Sequence, residues 1–308
     1  MSQRHSRARC SFGFGTGPRE RHTVSVELTL LRRHGNMAHR LFEGMKHAAA
    51  YQKYRVSPSQ MLIQKVMDFL DKKKGKPFDL AVDVGCGSGQ GTVLLAPHFS
   101  HVFGTDVSPA QLDLAKTYGS APNISYRQSS AEEMPFSDGS VDLVTAMTAA
   151  HWFDVPRFLL EADRLLKPRG CLALLSYTLD MQLQYGDEGC CLRLSEVCEE
   201  FYAALHPYRD ACLGPCTVAL YRQIYDSVPY TEKEWNDYLY VVKLPLGGYM
   251  GMVESFSSYQ ALLKKDPEEA KRLSQDIIDK LLAVMGFSSV ETEVVVGVKY
   301  FYVLACKP

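Results

Sequence analysis

The stretch Asp83-Val84-Gly85-Cys86-Gly87-Ser88-Gly89 constrains the fold more than any other part of the chain. The apolar run Leu80–Val84 leads into it and a helical pattern leaves it at Gln90, so it reads as the turn of a strand–turn–helix unit. Glycines at 85, 87 and 89 allow positive φ and let a ligand approach the backbone with no Cβ in the way. The spacing is G-x-G-x-G, with Gln90 where a dinucleotide fingerprint places its last glycine. An acid at position 83, read as the lip of the turn, disfavours a pyrophosphate and favours a ligand carrying an ammonium group.

The sequence around this turn repeats the same unit. A helical run over 57–74 ends in Lys72-Lys73-Lys74 before Gly75. After it, short β-rich runs alternate with helical patterns: strands near 80–84, 102–105, 124–127, 141–147 and 171–177, helices near 90–99, 108–117 and 156–166. That rhythm predicts an α/β fold, a doubly wound and mostly parallel seven-stranded sheet covered on both faces, with its ligand at the strand C-termini. Beyond Tyr177 the rhythm breaks. Residues 178–285 read as a mainly helical insertion placed to act as a lid. Residues 286–308 read as terminal strands, with 290–296 and 300–305 forming an antiparallel hairpin about Gly297. Residues 37–177 form the N-terminal helices and core. Residues 1–36, rich in Arg, Ser and Gly, read as a disordered extension, with Met37 resembling a start; a mitochondrial transit peptide is the alternative.

Three further motifs fall at strand ends. Gly104-Thr105-Asp106-Val107-Ser108 ends a strand in an acid able to accept ribose hydroxyls, and Ser108-Pro109 starts a helix. Ser130-Ala131-Glu132-Glu133-Met134-Pro135 follows the third strand, and Thr148-Ala149-Ala150-His151-Trp152-Phe153-Asp154 closes the fourth. His151 is the candidate catalytic residue, although its aromatic neighbours equally suit a packed structural histidine. Trp152 could offer a ring face to a cation or belong to the core.

Taken in order, these four motifs over about residues 79–177 resemble the class I methyltransferases of the type-11 family, with their Rossmann-like fold. The resemblance implies S-adenosylmethionine as cofactor, which carries an ammonium and a sulfonium and no phosphate, as the charge at Asp83 favours. It assigns Asp83, Gly85, Cys86, Gly87, Gly89, Asp106 and Val107 to cofactor binding, and Ala131 and Glu132 to the adenine. Ser130 stands where the family usually has an acid. From Met37 onward the chain is more loosely similar to the small-molecule branch of trans-aconitate and cantharidin-type methyltransferases, through Phe42, Tyr51, Tyr54, Arg55, the 150–154 segment and 254–259. That likeness implies Tyr51 over the cofactor's methionine end, Tyr54, Trp152 and Tyr259 toward the substrate, and O-methylation of a carboxylate, with thiol, amine, RNA or protein acceptors, or cofactor binding without turnover, as alternatives. A carboxylate with a pKa of about 4 needs no general base at neutral pH, and Arg222 or Lys243 could orient it.

Composition narrows the partners. Across 308 residues, 34 basic and 35 acidic side chains nearly cancel, so no net charge favours nucleic acid or an anionic membrane, and a small-molecule partner is expected. Nine scattered cysteines suit reduced thiols in the cytoplasm, and the group between Cys190 and Cys216 lacks zinc-ligand spacing, so no metal is expected. The sequence leaves the oligomeric state open.

Overall fold

The computed structural model describes residues 59–179, 181–211 and 217–308. The expectations for residues 1–36 and for Phe42, Tyr51, Tyr54 and Arg55 lie outside the described residues. Ser59 caps helix α1 (Gln60–Lys74), its hydroxyl accepting the Leu62 N–H at 3.1 Å, and three lysines occupy the last turn, where the helix dipole favours cations. The α/β series follows: β1 (Leu80–Val84), α2 (Gln90–Leu95), β2 (His101–Asp106), α3 (Pro109–Tyr118), β3 (Ile124–Gln128), β4 (Val141–Met147), α4 (Val155–Leu165) and β5 (Leu166–Tyr177). A three-residue strand, β6 (Gln182–Gln184), precedes α5 (Glu188–Leu205) and α6 (Thr217–Ser227). The chain then forms β7 (Glu232–Pro245), α7 (Leu246–Glu254), α8 (Ser257–Lys265), α9 (Pro267–Met285) and β8 (Glu293–Cys306).

These strands form one eight-stranded sheet in the order β3-β2-β1-β4-β5-β8-β6, with β7 on the other edge of β8. Strands β1 to β5 are mutually parallel, and β8 runs antiparallel to β5. The five parallel strands match the expected ones, and β6 is an addition that continues the β5 edge of β8 at Val295–Gly297. Side chains of β5 alternate between two cores: Cys171, Ala173, Leu175 and Tyr177 face one, Leu172 and Leu174 the other. A sheet buried on both faces requires this period of two in apolar residues of both phases.

The antiparallel terminal pair is present, but its partners are β7 and β8. The runs 290–296 and 300–305, expected as two arms of a hairpin, belong largely to one strand that passes straight through Gly297. Gly297 pairs with Gln182 of β6 and Val241 of β7 and so lies within a continuous strand, not at a turn. Strand β7 lies within the span expected to be mainly helical.

From the Tyr177–Tyr300 pair the β7–β8 ribbon continues to Pro245–Glu293, roughly 20 Å beyond the parallel strands at the usual rise per residue. Helices α5, α7, α8 and α9, with Phe256 at the α7–α8 junction, bury Leu194, Phe201, Tyr249, Leu262 and Ile277 in the same core as Tyr177, Val294 and Val296. The helical layer therefore stands at the C-terminal edge of the parallel strands, where ligands of open α/β sheets bind.

Candidate functional site

The order of strands reverses at β1, which lies between β2 and β4, so the turn after Val84 occupies the switch point of the sheet. Gly85, Gly87 and Gly89 have φ of 67°, 54° and 81°, and Gly89 caps α2. The first and last glycines are packed from within. A Cβ on Gly85 would lie 2.6 Å from Cβ of Ala149, and one on Gly89 would collide with the Tyr126 hydroxyl. Gly87 differs: among the described residues its Cβ would meet only Oε1 of Gln111, at 3.7 Å, and nothing else fills the space above it.

Asp83 does not sit at the lip of the turn. It is 1% exposed beneath it, and its two carboxylate oxygens accept from the hydroxyls of Thr92 (2.6 Å) and Thr145 (2.9 Å). Burial raises its pKa to about 6, against the opposing hydroxyl bonds. Asp83 ties β1, α2 and β4 together and holds the turn from below. Cys86 is half-buried, its N–H donating to the Thr105 carbonyl at 2.9 Å, and burial pushes its thiol well above the usual range.

Asp106, at the end of β2, accepts the N–H of Gly87 at 2.9 Å and that of Ser108 at 2.8 Å. A carboxylate offers about four acceptor sites, so bracing the glycine turn is compatible with receiving a ligand's vicinal hydroxyls. The next loop joins here: the N–H of Ser129 reaches the Asp106 carbonyl at 3.1 Å and the Gln128 amide reaches that of Val107 at 3.1 Å. Ala131 is 5% exposed, and Oε1 of Glu132 accepts the Asp154 N–H at 2.8 Å, joining the third motif to the fourth. All four sequence motifs thus meet at one edge through direct bonds.

In the fourth motif Thr148 holds φ at 58°, an uncommon backbone for a branched residue. His151 and Trp152 follow in a short 3₁₀ turn, their rings 5.0 Å apart and both half-buried. Nδ1 of His151 lies 3.4 Å from the hydroxyl of Tyr221, a fully buried residue of α6 whose pKa burial raises. Tyr259 is not at this edge: it is 5% exposed in the helical layer, donates to the Ala270 carbonyl at 3.2 Å, and burial pushes its pKa up to about 12. Neither cation expected to orient an acid is placed for it. Arg222 stacks on Trp235 at 3.9 Å, and Lys243 is 69% exposed beside Glu293. Among the described residues no cluster of His, Cys, Asp or Glu could hold a metal ion, and no helix is long and apolar enough to cross a membrane.

Three contributors escaped the sequence reading. Ser108 and Gln111 have capping-box spacing, which would spend the glutamine side chain on the Ser108 N–H; Asp106 takes that N–H instead, and the buried Gln111 carbonyl oxygen is left without a protein partner beside Gly87. Tyr221 and Arg209 sit in no motif. Tyr221 was detectable only as an apolar-face residue of α6, and Arg209 lines a cavity whose walls come from four separate segments.

Fold and site geometry together define a Rossmann-like methyltransferase fold. Residues 82–174 match the methyltransferase-domain family. Over 130 residues the chain is 40% identical to a Dictyostelium discoideum protein named as a methyltransferase, covering 42% of this chain and 47% of that one. An uncharacterized methyltransferase of Schizosaccharomyces pombe is 27% identical over 198 residues, 64% of this chain and 72% of its own. The chain spans about half the length of the first of these relatives. In structure, a protein of Anaeromyxobacter dehalogenans described as a type II methyltransferase superimposes with a TM-score of 0.67 at 22% identity, covering 82% of this chain and 98% of that one. A plantazolicin methyltransferase, solved with S-adenosylhomocysteine (SAH), gives 0.51 at 16% identity over 92% and 99%.

Proposed function

We propose that this protein transfers a methyl group from S-adenosylmethionine to a small molecule, and that the acceptor atom is a carboxylate oxygen. The observation that carries the first part is the glycine turn braced by Asp106, with Gly87 clear of every described side chain but Gln111. The site fits the cofactor chemically: beside the turn, the buried Ser88 hydroxyl and the Gln111 carbonyl oxygen have no protein partner, and unpartnered buried polar atoms signal a missing hydrogen-bonding group.

When bound, the cofactor supplies an electrophilic methyl carbon: a C–O bond forms to the acceptor as the S–C bond breaks, its electron pair staying on sulfur. The chain's own residues bind, orient and exclude water. Backbone at Gly85, Cys86 and Gly87 would hold the methionine portion, Asp106 would accept the ribose hydroxyls, and Val107, Ala131 and Glu132 would line the adenine. Trp152, beside His151, is the described residue that would face the acceptor. Holding nucleophile and methyl carbon in line at near-attack distance is the main acceleration such a reaction needs. A carboxylate arrives ionised, so His151 positions it, with its ring set by Tyr221. With a hydroxyl or amine acceptor, His151 would instead remove a proton.

The carboxylate assignment follows the likeness to small-molecule methyltransferases and the near-zero net charge, which gives no general attraction to nucleic acid. Transfer of label from S-adenosylmethionine to a panel of carboxylates, phenols, thiols and amines tests it. A carboxylate product releases its label as methanol in alkali. An alkali-stable label on another acceptor class would refute the carboxylate and move His151 to a proton-removing role.

A further inference from the structure

Between the C-terminal end of β5 and the helical layer lies a cavity of about 310 Å³, at the small end of the range for ligand pockets. Its walls include Thr178, Tyr202, Arg209, Thr217, Phe256 and Ser258. Among the described residues no aspartate or glutamate lines it and no carboxylate pairs with Arg209. By contrast, Arg164 and Arg169 each hold a glutamate. Nη2 of Arg209 donates to the Thr217 hydroxyl at 2.8 Å, while its Nε is buried without a partner. A buried donor on a charged group is costly unless an acceptor meets it, and a guanidinium presents paired donors matched to a planar oxyanion.

The cavity also stands in a definite relation to the reacting edge. Thr217 opens α6, and Tyr221, four residues later on the same face, meets His151. One turn of helix, a rise of about 6 Å along the backbone, thus separates Thr217 from Tyr221, whose hydroxyl lies beside His151. On the β5 side, Thr178 follows Tyr177, and the Leu175 carbonyl accepts the Thr148 N–H at 2.7 Å, just ahead of His151.

We infer that this cavity is the acceptor's handle site: Arg209, with Thr217, grips an oxyanion of the substrate, Phe256 and its apolar neighbours take the carbon skeleton, and methylation occurs at a second group near His151. The inference rests on the methyltransferase reading and adds a requirement to it. An oxyanion held by a guanidinium has its lone pairs engaged and would lose the pairing on esterification, so the held group and the methylated group are different. The substrate class is therefore a small, partly apolar molecule with at least two functional groups, one of them a retained carboxylate or phosphate.

The test uses full-length protein with adipate and hexyl phosphate as probes, titrated in the presence of SAH. Wild type binds one or both, and Arg209→Gln weakens that binding at least tenfold while SAH affinity is unchanged. In parallel, phenylglyoxal labelling of wild type, mapped by mass spectrometry, is slowed at Arg209 by the probe that binds; this arm depends on no variant folding. Whichever probe protects distinguishes carboxylate from phosphate. Equal probe affinity in Arg209→Gln, or labelling unaffected by either probe, overturns the handle site. Protection of Arg209 in a protein that does not bind SAH would instead sink the methyltransferase reading and leave the anion site standing.

Discussion

Asp83→Asn isolates the cost of a buried charge beneath the glycine turn. In the unfolded chain the carboxyl titrates near 3.8, whereas in the folded protein burial raises it to about 6. Below about pH 4 both states hold the proton and the group contributes no difference. Between the two values the unfolded chain ionises while the folded one stays protonated, so stability falls as pH rises; above about 6 the loss is complete. The interval corresponds to about 3 kcal/mol at 1.36 kcal/mol per pH unit. Asparagine keeps the shape and never ionises; one of the Thr92 and Thr145 hydroxyls can turn to accept from its NH2 while the other still donates to its oxygen. Every other titrating group is shared, including Asp142, whose pKa is lowered by bonds from Leu80 N–H, Lys167, Asp79 N–H and Lys74 against the opposing effect of burial. Urea unfolding of both proteins at pH 5 and pH 8 therefore shows the variant gaining about 1.4 kcal/mol relative to wild type on going to pH 8. A difference independent of pH, or one moving the other way, would show that Asp83 is ionised in the folded state at pH 5 and that its burial does not raise it.

Other consequences concern the site directly. Gly87→Ala costs about 1 kcal/mol for a side chain at φ 54° and leaves a folded protein, yet it removes measurable S-adenosylmethionine binding; Gly85→Ala, whose Cβ would press on Ala149 at 2.6 Å, lowers the melting temperature more. His151→Ala leaves cofactor affinity within about twofold and lowers turnover, and Tyr221→Phe lowers it less, since it frees the ring without removing it; equal activity in both variants would make this pair structural. Arg222→Ala and Lys243→Ala leave the acceptor KM unchanged, because one side chain stacks on Trp235 and the other is exposed beside Glu293.

The core was legible because its strands are short apolar runs punctuated by glycines and capping residues: Leu80–Val84 and Val141–Met147 were read to the residue, and Ser108 caps its helix as expected. Strand β7 was not legible, because an edge strand exposes alternate positions and Glu232-Lys233-Glu234-Trp235-Asn236-Asp237 shows no apolar run. Gly297 misled because glycine, the usual mark of a turn, also occurs within a strand. Within the site, residues acting through backbone and spacing were readable. Asp83 lies beneath the turn and not at its lip, since sequence does not say which side of a turn a carboxylate faces. Arg209 depends on the tertiary meeting of β5, α5, α6 and the α7–α8 junction, which no local pattern encodes.

The central claim is that the glycine turn and Asp106 hold S-adenosylmethionine. Calorimetric titration of the full chain with S-adenosylmethionine, SAH and NAD tests it most directly. The account predicts saturable binding of the first two and none of NAD, with binding of both lost in Gly87→Ala; binding of NAD alone, or of none of the three, would contradict it.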